Sequence, residues 1–191
     1  MQATGTDTQA LYTVENGKIL LEIKLTSPDQ ILNPFSPVPF DEQELTSAAE
    51  EYLVETVRDF PDKAQFKIVL RLPTSVIDSP ECRALPDAIR NHFRYEMLVL
   101  DRRYRQWIRF GKKTLVLGLF VLALATFVSR AILQFGESMP VMMISDGSTI
   151  VGWVAMWAPA TVILLELWPI LETKKLYEKI ATSEIVFVPV S

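Results

Sequence analysis

The chain has 191 residues and a formal net charge of −4, and its charges are unevenly distributed. Residues 1–81 carry 6 Lys or Arg against 14 Asp or Glu, whereas residues 82–113 carry 9 against 3. Two apolar stretches take up about 45 residues, which leaves enough chain for one small water-soluble domain but hardly for two. The single cysteine, Cys82, excludes an intrachain disulfide, and the polar N-terminus is not expected to act as a cleavable signal.

The first predicted elements are two short strands. Asn16-Gly17 separates apolar runs at 11–14 and 18–25, and this pair favours the positive φ angles of a tight hairpin turn. In the second run the alternating apolar residues are Ile19, Leu21, Ile23 and Leu25. Such alternation is typical of a strand with one buried face.

A proline-rich segment and a helix follow. Segment 26–40 contains four prolines and is expected to be an ordered loop anchored by apolar residues that include Phe35. Ser47 and Glu50 fit a capping box at the start of an amphipathic helix, with 41–44 as a rival start.

Strands at 66–72 and 184–190 complete the predicted sheet. A strand, a helix and a strand in this order are most simply joined as a right-handed crossover with parallel strands. Pro189 cannot donate a hydrogen bond to a neighbour, so its strand is expected at an edge. Whether this strand returns to the first sheet is left open; if it does, both ends of the chain build one domain. The predicted fold class is α+β, with a small α/β domain of about three strands and an amphipathic helix.

The second half of the chain is predicted to form long helices. Apolar residues recur at spacings of three and four from residue 85 to residue 111, and the pattern runs into the first apolar stretch. One helix of about 50 residues is therefore expected, followed by a second apolar helix, so that two spans form a transmembrane hairpin. The predicted divisions are 1–81 (cytoplasmic α/β domain), 82–113 (basic amphipathic helix), 114–135 (first span), 136–148 (external loop), 149–171 (second span) and 172–191 (cytoplasmic tail with the strand 184–190).

Basic residues orient this hairpin. They precede the first span and are Arg102, Arg103, Arg105, Arg109, Lys112 and Lys113. Because 136–148 has no Lys or Arg, the positive-inside rule predicts that both termini are cytoplasmic. The same basic residues are expected to contact anionic lipid headgroups of the bilayer. Nucleic acid is not an expected partner, because the domain is otherwise acidic and would repel phosphate.

Small residues predict where the two spans pack, because close backbone approach replaces the hydrophobic drive in lipid. They are Gly118, Ala125 and Ser129 in the first span, and Gly152, Ala155 and Pro159 in the second. Glu166 is expected beside the gap that Gly118 leaves, and Arg130 near the outer headgroups or Glu137. Two interpretations of Glu166 stay open: it snorkels toward a nearby lysine, or it contacts another protein or a transported cation in the membrane.

The sequence lacks the common motifs of enzymes. It has no Gly-x-Gly-x-x-Gly and no Gly-Lys-Ser/Thr, and one histidine, His92, with one cysteine cannot form a conventional zinc site. The acidic residues between 41 and 51 do not follow the ligand order of a calcium loop. We therefore expect no catalytic residue, metal site or cofactor, and an enzyme with dispersed carboxylates is only the third hypothesis.

A set of aromatic, proline and polar residues carries a resemblance. The set is Trp153, Trp157, Pro159, Leu164, Leu165, Trp168 and Pro169, with Asp29, Gln30, Asn33, Pro39 and Phe40 before the first helix. With these residues the chain resembles an uncharacterised group of small bacterial membrane proteins that join a cytoplasmic N-terminal domain to two spans. The resemblance implies a bacterial inner-membrane setting and no particular activity.

Two hypotheses on function follow. The first is a non-enzymatic accessory or scaffold protein, which recruits a cytoplasmic partner or assembles as a homo-oligomer or with another membrane protein. The second is a subunit of an oligomeric transporter or channel in which Glu166 lines a path.

Overall fold

The architecture is that of a computed structural model, which describes residues 12–35, 39–61, 63–134, 136 and 138–190, without the side chain of Asp41. The chain is a mixed α+β protein that divides into two compact units. The α/β unit comprises Met1–Val99 and Thr173–Ser191, and the hairpin unit comprises Leu100–Glu172. The question that the sequence left open is thereby answered: the strand at 184–190 joins the first sheet, and both ends of the chain contribute to this unit.

The α/β unit contains a four-stranded sheet with the order β1-β2-β3-β4. The strands are β1 (Val14–Glu15), β2 (Lys18–Lys24), β3 (Gln65–Pro73) and β4 (Glu184–Val190). β1 is antiparallel to β2, and β2, β3 and β4 are parallel. The predicted turn is confirmed, because Asn16 and Gly17 have φ angles of 51° and 77°, the positive values that this type of hairpin turn requires. β4 occupies the predicted edge position. An edge strand has a neighbour on one side only, so it tolerates the missing amide hydrogen of Pro189.

Helix α1 (Ser47–Arg58) begins at the predicted place with a different cap. The N-cap is Thr46, whose hydroxyl oxygen accepts a hydrogen bond from the Ala49 amide at 3.4 Å. The capping box predicted on Ser47 and Glu50 is thus wrong by one residue. With Thr46 at the cap, the third helical position is Ala49, which has no carboxylate to complete the box.

The loop before α1 is anchored by fewer apolar residues than predicted. Ile31 and Leu32 are buried, and Leu32 forms an isolated bridge with Leu45. Phe35 was expected to be an anchor, but its side chain is 90% exposed. Pro34 restricts the local backbone, and the Phe35 amide donates to Asn33 Oδ1 at 3.1 Å in the loop.

The long helix is continuous, as predicted. After the short α2 (Thr74–Ile77), α3 runs over 54 residues from Pro80 to Leu133 and belongs to both units. In the α/β unit the core is formed by the sheet, α1, the start of α3 and the end of α6 (Trp168–Ala181). The fully buried side chains include Leu21, Ile68, Leu70, Leu53, Leu85, Ile89, Phe93 and Ile180.

The second long helix occupies Met139–Ala181 and is interrupted twice. It consists of α4 (Met139–Ala155), α5 (Trp157–Thr161), a π-helical segment (Val162–Leu167) and α6. The predicted loop at 136–148 is therefore wrong from Met139 onward. Pro140 costs no helical hydrogen bond in the first turn. Three polar residues of the predicted loop form hydrogen bonds instead. The Ser148 and Thr149 hydroxyls donate to carbonyls of α4, and the Ser145 hydroxyl bonds to Ser129 of α3.

Both long helices lie in the connection between two adjacent strands. Parallel strands need a crossover, usually one helix, and here the connection from β3 to β4 contains the whole hairpin unit. The α/β unit is consequently joined to the hairpin unit by two covalent links, α3 and α6.

Candidate functional site: the face between the two long helices

The two long helices of the hairpin unit meet along a face of small residues. Buried side chains or backbone on this face belong to Gly118, Ala125, Ser129, Ser145, Gly152, Pro159 and Val162. The structure thus brings together the small residues singled out in the sequence, with Ala155 half-buried beside them.

The closest backbone approach joins Gly118 to Ala155. A Cβ atom at position 118 would lie 2.9 Å from the Ala155 carbonyl oxygen and 3.3 Å from the Met156 sulfur. Pro159 has no amide hydrogen, so it cannot donate to the Ala155 carbonyl four residues before it. The Ala155 carbonyl, which has no amide of residue 159 to bond, is therefore the group that approaches Gly118 most closely. Regular α-helical bonding is interrupted at Met156, three residues before Pro159.

Two further contacts tighten the same face. A Cβ atom at Gly152 would lie 3.0 Å from the Ala125 Cβ and 3.0 Å from Leu122 Cδ1. A Cβ atom at Gly111 would lie 3.1 Å from Val162 Cγ1. Close approach of this kind is how apolar helices associate where water does not drive them together.

Near the connecting end, the helices are joined by hydroxyl groups. The Oγ atoms of Ser129 and Ser145 are 2.7 Å apart, and Thr149 Oγ1 donates to Ser129 Oγ at 3.2 Å. Ser145 is not among the packing residues predicted from the sequence, because it lies in the predicted loop 136–148. The spacing of Ser145, Thr149 and Gly152, four and then three residues, would have extended the predicted face.

Glu166 does not lie beside Gly118, which corrects the prediction. Ala155 lies opposite Gly118, and Val162 lies opposite Gly111, so Glu166 is about one turn beyond the level of Gly111. The hairpin closes at Met139, about ten residues earlier than the predicted start of the second span, and this shifts the register of the two helices. The Glu166 side chain is half-buried within the π-helical segment.

The basic residues of the hairpin unit are exposed along α3. This holds for Arg102, Arg103, Arg105, Arg109, Lys112 and Lys113. Arg109 also donates through Nε to the Arg105 carbonyl at 3.3 Å. Arg130 is exposed near the other end of α3, and its suggested partner Glu137 lies outside the described residues.

The α/β unit contains a separate buried polar cluster where α1, α3 and α6 meet. The Tyr177 hydroxyl donates to Glu50 at 2.8 Å, and His92 Nε2 is 3.5 Å from the other Glu50 oxygen. His92 Nδ1 accepts the Leu45 amide hydrogen at 3.2 Å, which assigns the ring proton to Nε2. Burial, with the hydrogen bond to Glu50, raises the pKa of Tyr177. His92 is thus a packed residue of this unit.

No group of three or more His, Cys, Asp or Glu side chains within the described ranges is arranged to hold a metal ion. Comparisons with protein-family models, curated proteins and solved structures find no match to this chain. The resemblance to small bacterial two-span proteins therefore stays a prediction. The structure shows an α+β protein in which two helices are long and apolar enough to cross a membrane.

Proposed function

We propose that the protein is an integral membrane scaffold of the bacterial inner membrane. It has two spans, and its cytoplasmic α/β unit presents an interaction surface. The observation that supports membrane insertion is the exposure of the apolar helices. Their most apolar 18-residue windows have mean hydropathies of 2.3 and 1.8, yet only 11% and 17% of those residues are buried. A core helix of a water-soluble protein would have most of such a window covered.

Assembly with a second copy or another membrane protein is supported by a mismatch in apolar length. The first helix has one charged residue, Arg130, over 114–133, which is about 30 Å of helix. The second helix has two, Asp146 and Glu166, over 139–171, which is about 50 Å. Since Val162 lies opposite Gly111, residues 163–171 run alongside the basic segment of α3. The residues Ile163, Leu164, Leu165 and Trp168 are between 59% and 66% exposed. Exposed apolar surface that extends past the span favours cover by another protein.

The topology test uses single introduced cysteines. Native Cys82 is buried, and burial raises the pKa of its thiol, so it should give little background labelling. In intact cells, an impermeant maleimide should label Ser138→Cys at the hairpin connection. Ser75→Cys in the α/β unit should be labelled only after permeabilisation, because this unit is proposed to be cytoplasmic. Both chosen positions are exposed, so neither is protected by the fold itself. Equal labelling of the two variants in intact cells would contradict two spans with cytoplasmic termini.

The assembly test compares matched leucines. In neutral detergent, native mass measurement and crosslinking should find an oligomer or a bound partner. Leu164→Ala with Leu165→Ala should dissociate it, whereas Leu117→Ala with Leu119→Ala, equally apolar and exposed on α3, should not. A wild-type monomer without a partner would count against the scaffold hypothesis.

The transporter or channel hypothesis is retained for one observation. Glu166 is half-buried in a π-helical segment, and such segments are frequent at functional sites. Since small side chains fill the face between the two helices, any path would need several hairpins. Glu166→Gln should then alter ion flux in reconstituted vesicles, and Glu172→Gln, further along the same helix, provides the control. Unchanged flux in the Glu166 variant removes this hypothesis.

A further inference from the structure

A polar recess of about 550 Å³ opens in the α/β unit at the edge where the three parallel strands begin. Its charged lining comes from four distant parts of the chain. These side chains are Lys18, Lys63, Arg90, Lys179 and Glu184. Gln65, Phe66, Thr182 and Ser183 complete most of the wall. The recess is well within the size range of small-molecule sites, roughly 300–1,000 Å³.

The charge of the recess is opposite to that of the unit around it. Four cationic side chains and one carboxylate line it, and one of the cations, Arg90, pairs with Asp87 at 3.4 Å. The α/β unit as a whole has 12 Lys or Arg against 18 Asp or Glu. A recessed cationic surface on an acidic unit attracts a compact anion, whereas an extended polyanion such as nucleic acid also meets the surrounding negative charge, which repels it.

Two sets of contacts limit the effect of negative groups at the recess. Lys18 Nζ reaches across β3 to Glu184 at 2.8 Å, which lowers the pKa of that carboxyl group and keeps the pair ionised. At the end of α6, hydroxyls of Thr182 and Ser183 donate to the carbonyls of Glu178 and Lys179 at 2.8 and 2.7 Å. These bonds occupy carbonyl oxygens that would otherwise present the negative end of the helix to an anion.

We propose that this recess binds a small soluble anion that carries a phosphate group. Arg90 offers the planar fork that matches phosphate oxygens, and Lys63, whose side chain is exposed, adds an ammonium donor. The site lies at the amino ends of the strands, opposite the carboxyl ends where open α/β sheets usually bind ligands. The proposal concerns the α/β unit and does not rest on the membrane function.

The experiment is calorimetric titration of the full chain in neutral detergent with inorganic pyrophosphate. Sodium sulfate at equal ionic strength is the reference anion. Lys63→Gln with Arg90→Gln removes two charges from the recess. Lys24→Gln with Arg94→Gln removes the same charges from exposed positions of β2 and α3 outside it. All four substitutions are at partly or fully exposed side chains, and melting temperatures verify that both variants are folded.

Pyrophosphate should bind saturably to the wild type, more tightly than sulfate. The recess variant should raise the Kd at least tenfold, and the control variant less than twofold. Absence of saturable binding, an equal rise of the Kd in both variants, or no rise in the recess variant would each overturn the proposal.

Discussion

Substitution of Gly118 by alanine tests the packing of the two long helices. The new Cβ atom would lie 2.9 Å from the Ala155 carbonyl oxygen, whereas ordinary contacts begin near 3.4 Å. The helices must therefore separate by roughly half an ångström, because a backbone carbonyl, unlike the Met156 side chain, cannot turn aside. Gly147 provides the control in the same unit, since a Cβ atom there would have no atom within 4 Å.

The expected magnitudes have opposite signs. Overpacking costs about 1–3 kcal/mol, and the better helix propensity of alanine returns up to ~1 kcal/mol. Gly118→Ala should thus lower the free energy of unfolding by about 1–2 kcal/mol. Gly147→Ala gains the propensity without a clash and should raise it by about 0.5–1 kcal/mol.

The assay is unfolding of the hairpin unit in mixed micelles, by titration of an ionic detergent into a neutral one. Tryptophan fluorescence reports the transition, because Trp153 and Trp157 lie on the second long helix near the contact. The midpoint should fall for Gly118→Ala and stay or rise for Gly147→Ala. Equal midpoints for the two variants would refute the assignment of Gly118 to a close backbone contact.

Three further predictions concern single hydrogen bonds. Ser129→Ala removes the hydroxyl shared between the helices and should destabilise the hairpin unit by about 0.6 kcal/mol in the same titration, whereas Thr126→Ala, whose hydroxyl bonds only within α3, should have no interhelical effect. Thr46→Ala removes the cap of α1 and should cost about 1 kcal/mol by chemical denaturation of the α/β unit, with Thr46→Ser as the control. Tyr177→Phe breaks the bond to Glu50 and should cost about 1–2 kcal/mol at neutral pH.

The tyrosine variant also has an expected pH dependence. The folded protein raises the pKa of Tyr177 above its ordinary 10.0, so its stabilisation is fully present below pH 10. That stabilisation is lost as the pH rises from 10 through the folded pKa. The wild type should therefore lose stability faster than Tyr177→Phe above pH 10, and parallel curves would show that Tyr177 is not in this environment.

Local patterns in the sequence were enough to predict the elements. Alternation of apolar residues located β2 and β3, Asn16-Gly17 located the turn, and a three-four repeat located a continuous α3. These features depend on neighbours a few residues apart, which the sequence displays directly. The small residues on the face of α3 were found for the same reason. The predictions for the N-cap and for Phe35 are wrong because neighbouring residues give similar local signals. Thr46 and Ser47 can both cap a helix, and Phe35 is as apolar as the residues that are buried, so only packing distinguishes them.

The register of the hairpin and the contents of the recess were decided by tertiary structure. Because the second helix starts earlier than predicted, Glu166 lies about three turns from its expected neighbour Gly118, and no local pattern measures that distance. The recess gathers Lys18, Lys63, Arg90 and Lys179, which come to one edge through the pairing of β2 and β4 with β3 and the packing of α3. Helix and strand formation is encoded by spacing along the chain. The register of two helices and the residues of a site depend on which distant surfaces pack together. The sequence does not display this, because many alternative registers would fit the same spacing of apolar and small residues.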